Sequence, residues 1–66
     1  MLGNDYSAVP RGKDWTVRRR GSKRATCAGL DRASAWQEAQ RRAKRLGGRA
    51  WLYNVHGRVE RRAHFS

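Results

Sequence analysis

The sequence has few of the residues with which small proteins cross-link themselves. Cys27 is the single cysteine among 66 residues, so we expect no internal disulfide, and one cysteine with two histidines falls short of a zinc site. No stretch approaches the roughly 20 apolar residues of a membrane-spanning helix. Residues 1–5 lack the basic and apolar segments of a signal peptide. We therefore expect a cytoplasmic protein with no metal, no cofactor and no contact with a membrane.

Acidic residues are also scarce. Five Asp and Glu stand against sixteen Lys and Arg, which leaves a formal net charge of +11. Charges confined to so small a molecule repel one another, and an acidic partner relieves that repulsion. Thirteen of the sixteen cations are arginine, whose planar guanidinium binds phosphate through two parallel hydrogen bonds. An arginine-rich proteome is the alternative explanation, but so large a charge favours a polyanion partner.

The length of the chain fits one domain, residues 1–66. A domain of this size buries only about 60% of the surface that its unfolded chain exposes. Hydrophobic residues make up 38% of the sequence and include three Trp, two Tyr and one Phe, enough bulk for a small core. We expect residues 1–5 to form a flexible N-terminus.

The clearest element is a helix over residues 32–46. Asp31 precedes it as an N-cap, and Gly47 follows it as a left-handed C-cap. Glu38 stands one turn before Arg41, so part of the helix charge is paired locally. Apolar residues recur at helical spacing and predict one buried stripe: Ala35, Trp36, Ala39, Ala43 and Leu46.

Alternating side chains predict five strands around this helix, in the order β-β-β-α-β-β. They are a short edge strand at 6–10, strands at 15–20 and 25–30, and a hairpin of 50–54 with 58–65. The expected fold is α+β, a small antiparallel sheet with one helix packed across one face.

The register of the hairpin decides which side chains the helix covers, because a shift of one residue reverses every side chain. A three-residue turn at 55–57 predicts these inward residues: Trp51, Tyr53, Val59, Ala63 and Phe65. The outer face then carries Leu52, Asn54, Arg58, Glu60, Arg62 and His64. In the strand at 15–20, Trp15 and Val17 point inward and Arg18 points outward. The uncovered face thus presents guanidinium groups without aromatic rings on which bases could stack.

Several residues occur in a characteristic order along almost the whole chain, from Tyr6 to Phe65. They are Tyr6, Val9-Pro10, Trp15-Thr16-Val17, Gly21, the helical Ala35, Ala39 and Ala43, and His56-Gly57-Arg58 in the hairpin. This order resembles domain-of-unknown-function family 2188, a group of short bacterial and phage-type proteins. Trp36 departs from the smaller aliphatic residue of the family, and the hairpin turn is shorter than usual. The resemblance implies a fold and a link to mobile elements, and it carries no established activity.

No motif in the sequence predicts catalysis. Cys27 lies in an apolar segment, and neither His56 nor His64 is placed to activate it. The carboxylates are dispersed, with Asp31 used as a cap and Glu38 paired on the helix, so we expect no acid–base pair. No glycine-rich loop has the spacing of a phosphate cradle. The expectation is a protein that is not an enzyme.

Two basic patches contain the candidate binding residues. The first lies on the strand at 15–20, the turn after it and the outer face of the hairpin: Arg18, Arg20, Lys23, Arg24, Arg58 and Arg62. The second lies on the helix: Arg41, Lys44 and Arg45. We expect these residues to neutralise the phosphates of DNA or RNA with little sequence specificity. The alternatives are a phage- or plasmid-type module that docks on an acidic host protein, and a homodimer that pairs through sheet edges.

Overall fold

The structure is a computed structural model that describes residues 4–65. Its elements are β1 (Tyr6–Arg11), β2 (Asp14–Arg19), β3 (Ala25–Leu30), α1 (Arg32–Leu46), β4 (Arg49–Tyr53) and β5 (Val59–His64). The expected α+β fold and its order β-β-β-α-β-β are confirmed. We expected a flexible N-terminus at residues 1–5, and residues 1–3 of it lie outside the described residues. No helix within residues 4–65 is long and apolar enough to cross a membrane.

The five strands form one sheet in the order β3-β2-β1-β4-β5. The strand expected at an edge, β1, is instead the central one, because it pairs antiparallel with β2 and parallel with β4. The sheet expected to be antiparallel is therefore mixed, and the long connection through α1 is what brings two parallel strands side by side. Pro10 is tolerated because the pairing with β4 ends at Ala8, so its missing N–H does not interrupt that ladder.

The helix α1 begins and ends where the sequence predicts. The N–H of Ser34 donates a 2.7 Å hydrogen bond to the Asp31 carboxylate. Gly47 takes the left-handed conformation, with φ of 70°, and the N–H of Gly48 donates to the carbonyl of Ala43 at 2.8 Å. These bonds satisfy backbone groups that the ends of any helix leave open.

The core lies between α1 and the sheet, and alanine supplies most of its helix side. The buried hydrophobic residues are Tyr6, Ala8, Val17, Ala35, Ala39, Ala43, Ala50 and Leu52. Partly buried side chains pack against them: Trp15, Cys27, Leu30, Trp36 and Phe65. The inward positions expected for Trp15, Val17 and Phe65 are thus confirmed. Small side chains on α1 let the helix lie close to the sheet, so the core is thin.

The predicted inward face of β4 is wrong. Ala50 and Leu52 are buried beneath α1, and successive side chains of a strand point to opposite faces. Trp51 and Tyr53 therefore point to the face that the helix leaves uncovered. Leu52, expected on that outer face, is 1% exposed.

A β-bulge in β5 accounts for part of this error. Ala63 stands opposite Ala50, whereas the pairing shifts by one residue before Val59 meets Tyr53. Glu60 is the extra residue at this shift. The residues expected to share the inward face are consequently divided between the two faces of the sheet.

Candidate functional site

An open groove lies on the sheet face that α1 does not cover, and we call it the open-face groove. Its volume is about 550 Å³. Within the described chain, it is lined by Ser7, Val9, Arg18, Arg19, Arg20, Ser22, Trp51 and Tyr53. This lining contains three arginines, two aromatic rings and no carboxylate. Arg19 stands opposite the buried Tyr6, so its side chain lies on the other face of the sheet, and Arg18 and Arg20 are the cations of the open face.

Strand pairing places one row of side chains across this face. Arg18 stands opposite Ser7, Ser7 opposite Trp51, and Trp51 opposite Arg62. Neighbouring strands are about 4.8 Å apart, so the backbones at Arg18 and Arg62 are separated by about 14 Å. The row therefore has a cation on each side of the indole.

Trp51 is held in place by a neighbouring cation. The guanidinium of Arg49 lies over the indole ring, 5.3 Å from its centroid, at cation–π distance. Asp5 fixes Arg49 in turn, because its carboxylate accepts from the Arg49 backbone N–H at 3.0 Å and from the guanidinium at 3.3 Å. The same carboxylate lies 3.6 Å from the guanidinium of Arg20. Asp5 is buried, so it joins the start of β1 to both β4 and the end of β2.

Arg18 lines the groove, and its guanidinium has both a bonded and an unbonded donor within the described chain. Its Nη2 donates to the carbonyl of Lys23 at 3.0 Å. Its Nε is buried and has no hydrogen-bond partner among residues 4–65. A buried N–H without an acceptor costs about 1–3 kcal/mol, but an atom without exposed surface is out of a ligand's reach, so any contact of Arg18 with another molecule falls to its terminal Nη groups.

The other residues of the first basic patch lie at different distances from the groove. Lys23 and Arg24 are exposed in the turn after β2, and the bond from Arg18 to Lys23 ties this turn to the groove. Arg58 lies in the turn between β4 and β5, where its N–H donates to the Asn54 side chain at 3.1 Å. Its expected position on the strand face is wrong, because β5 begins one residue later.

The second basic patch lies on α1, on the opposite side of the sheet from the groove. Lys44 and Arg45 occupy the last helical turn, where positive charge suits the helix dipole. Arg41 is paired with Glu38, with Nη2 and the carboxylate 2.7 Å apart. This hydrogen bond lowers the pKa of Glu38 and raises the pKa of Arg41. The patch is thus separate from the groove and partly neutralised.

Sequence reasoning missed Trp51, Tyr53 and Arg49 as members of the site. Either alternating set of β4 could have faced the helix, and the bulkier set was assigned to the core. The signal that could have corrected this is the alanine stripe of α1. A helix that lies so close to a sheet leaves room for Ala50 and Leu52 rather than for two more rings.

Residues 6–65 match the sequence model of a protein family that is described as uncharacterized and conserved in bacteria. The chain belongs to domain-of-unknown-function family 2188. The match covers every residue that lines the groove, and the resemblance expected from the sequence is confirmed. No curated protein and no solved structure is significantly similar to the chain. Family 2188 has no described activity to transfer, so the function is argued from the groove.

Proposed function

We propose that this protein binds nucleic acid without catalysing a reaction, through contacts between arginines of its open face and the phosphate backbone. The observation that carries the proposal is the groove itself, whose described lining includes Arg18 and Arg20 and contains no carboxylate. Guanidinium groups bind phosphate strongly, and such contacts depend little on base sequence. The proposal places the protein in the cytoplasm, with DNA or RNA as its partner.

Three parts of the first basic patch have distinct roles in this proposal. Arg18 and Arg62 contact phosphates from the two sides of the row. Arg20 adds a phosphate contact at the rim of the groove, where its ion pair with Asp5 partly neutralises its charge. Lys23 and Arg24 extend the positive surface along the turn after β2.

The remaining cations act at longer range. Arg58 lies at the far end of the hairpin and the second patch lies behind the sheet. Their charge raises the local concentration of a polyanion and speeds its approach, without touching the bound ligand. Substitutions there are expected to change the association rate more than the number of phosphates engaged.

The test is fluorescence anisotropy of labelled duplex DNA, single-stranded DNA and RNA, titrated with the protein at several salt concentrations. We expect the logarithm of the affinity to fall linearly with the logarithm of salt concentration. Replacing Arg18 and Arg62 together with Ala should lower the slope by about 1.4–1.8, since each lost phosphate contact removes about 0.7–0.9.

A matched control removes the same charge from the other side of the molecule. The double variant Arg41→Ala with Lys44→Ala changes the net charge equally and should keep the slope of the wild type. Equal loss in both double variants would mean that net charge alone attracts the probe. Absence of binding to every probe at low salt would rule out the proposal.

A second candidate function has one observation in its favour. Trp51 lies in the middle of a cationic row, and an aromatic anchor at the centre of a polar surface is typical of protein interfaces. A phage- or plasmid-type module that docks on an acidic host protein would use it in this way. Titration with an acidic protein domain distinguishes the two candidate functions. If the second is correct, the groove should bind the acidic domain more tightly than it binds nucleic acid.

A further inference from the structure

Trp51 and Tyr53 give the open-face groove a property that phosphate contacts do not require. They occupy alternate positions of β4, about 7 Å apart along the strand, and point to the same face. Both are only partly buried, and neither belongs to the core cluster between α1 and the sheet. Aromatic rings stabilise a small protein most when they are buried, so two rings placed in a basic groove indicate a ligand that covers them.

The orientation of Trp51 is set before any ligand arrives. Arg49 lies over one side of the indole, and it is held in turn by the two hydrogen bonds that it donates to the Asp5 carboxylate. A ring already fixed in place loses little freedom when a second planar group stacks on it. The contacts of Asp5 and Arg49 therefore prepare the ring for stacking.

The guanidinium of Arg18 adds a polar feature to the same groove. Its Nη2 donates to the carbonyl of Lys23, and the guanidinium carries further N–H donors for an acceptor on another molecule. The carbonyl oxygens and ring nitrogens of nucleobases are such acceptors, as are phosphate oxygens.

We infer that the open-face groove binds single-stranded nucleic acid, with unpaired bases stacked on Trp51 and Tyr53 and Arg18 donating to a base or its phosphate. This inference rests on the proposed function and adds the class of ligand to it. A paired base inside a duplex hides its faces from protein rings, whereas an unpaired base exposes them. A second copy of this chain is the less favourable occupant, because it would bring a further charge of +11 to a basic face.

The decisive experiment distinguishes the contribution of the bases to affinity from that of the phosphates, and it needs only the wild-type protein. A labelled thymidine oligonucleotide is compared by anisotropy with an oligonucleotide of the same length in which abasic sites replace the thymidines. Both carry the same phosphates. We expect the abasic probe to bind about 5- to 150-fold more weakly for each stacked base that is lost. A uridine oligonucleotide and a duplex complete the series, and the duplex should bind more weakly than the single strands.

Variants then assign the difference to the rings. Trp51→Ala should weaken binding of the thymidine probe by a similar factor and leave binding of the abasic probe unchanged. Trp51→Phe should restore most of the affinity, because a phenyl ring still stacks. Trp36→Phe is the matched control, since Trp36 lies on α1, behind the sheet. Circular dichroism verifies that each variant is folded.

Each alternative outcome has a distinct meaning. Equal affinity for the thymidine and abasic probes, with the expected salt slope, would overturn the stacking inference and leave the phosphate contacts intact. No binding of any probe at low salt would remove the proposed function and the inference together. If sedimentation shows a dimer that Trp51→Ala dissociates, and no probe discriminates bases, then a second copy covers this face and the inference is wrong.

Discussion

At the scale of single residues, the site depends on a carboxylate close to the start of β1. Asp5 is 8% exposed and lies among the guanidinium groups of Arg20 and Arg49. It also accepts the backbone N–H of Arg49, so it links the edge of the groove to the first residue of β4. An excess of positive charge around one buried carboxylate makes that carboxylate expensive to lose.

We expect Asp5→Ala to lower the free energy of unfolding by about 1–3 kcal/mol, because the backbone N–H and the guanidinium of Arg49 lose their acceptor and Arg20 loses an ion pair. Asp14→Ala is the matched control, since it removes the same charge from an exposed position. That variant should remain within about 0.5 kcal/mol of the wild type. Urea unfolding followed by circular dichroism measures both. Equal losses would attribute the effect to net charge instead of to the contacts of Asp5.

Leu52 and Tyr53 are neighbours on β4 that face opposite sides of the sheet. Leu52→Ala should cost about 2–5 kcal/mol, because the side chain is fully buried in a thin core. Tyr53→Ala should cost much less, since its ring lies in the open-face groove. Denaturant unfolding of the two variants checks the assignment of faces. A larger loss for Tyr53→Ala would support the register expected from the sequence and contradict the one observed.

At the scale of elements, local signals sufficed for the helix and failed for the order of the strands. Asp31, Gly47 and the alanine stripe lie within or beside α1, so its bounds could be predicted from neighbouring residues. The central position of β1 depends on its parallel pairing with β4, which lies more than forty residues away in the chain. Alternation predicts that a segment is a strand but does not specify its neighbours.

The candidate site divides in the same way. Arg18 and Arg62 were predicted on the uncovered face and lie in one row across it. Trp51 and Tyr53 were assigned to the wrong face, because their face depends on the tertiary packing of Leu52 against α1 and on a bulge at Glu60. Neither the bulge nor the packing leaves a distinct signal within the strands themselves, and the alanine stripe that indicates the packing lies on α1.

The first turn of α1 depends on a carboxylate that titrates in the acid range. The hydrogen bond from the Ser34 N–H lowers the pKa of Asp31 from its ordinary value of 3.8. Because this pKa is lower in the folded chain than in the unfolded chain, protonation favours unfolding. The ionised cap therefore stabilises the fold above about pH 4, and this contribution is lost as the pH falls through the folded-state pKa.

Asp31→Asn keeps an acceptor for Ser34 and does not titrate. We expect the difference in Tm between the wild type and this variant to favour the wild type near pH 6. The Tm advantage of the wild type should shrink as the pH falls below about 4, because protonation removes the charge of Asp31. Thermal unfolding followed by circular dichroism over this range measures it. A difference that stays constant with pH would mean that the charge of Asp31 contributes nothing to the cap.

At the scale of the whole molecule, positive charge exceeds what the fold neutralises. The described residues span 31 × 22 × 18 Å, only two to three Debye lengths at about 0.1 M salt. The carboxylates of Asp5, Glu38 and Glu60 each pair with arginine, yet the chain retains a net charge of +11. At low salt these cations repel one another across the entire structure, so the folded state is under electrostatic stress.

Added salt should therefore stabilise the protein, and the identity of the anion should matter at the groove. We expect Tm to rise with sodium chloride, because screening weakens the repulsion. At equal ionic strength sodium phosphate should raise Tm further, since guanidinium groups bind oxyanions through paired N–H bonds. The double variant Arg18→Ala with Arg62→Ala should lose part of this phosphate increment, whereas Arg41→Ala with Lys44→Ala should keep it. This comparison between variants of equal charge also subtracts the general stabilising effect of phosphate on protein surfaces. A Tm that falls as sodium chloride is added would mean that ion pairs such as those of Asp5 outweigh the repulsion. The stress inferred from the charge of +11 would then be absent.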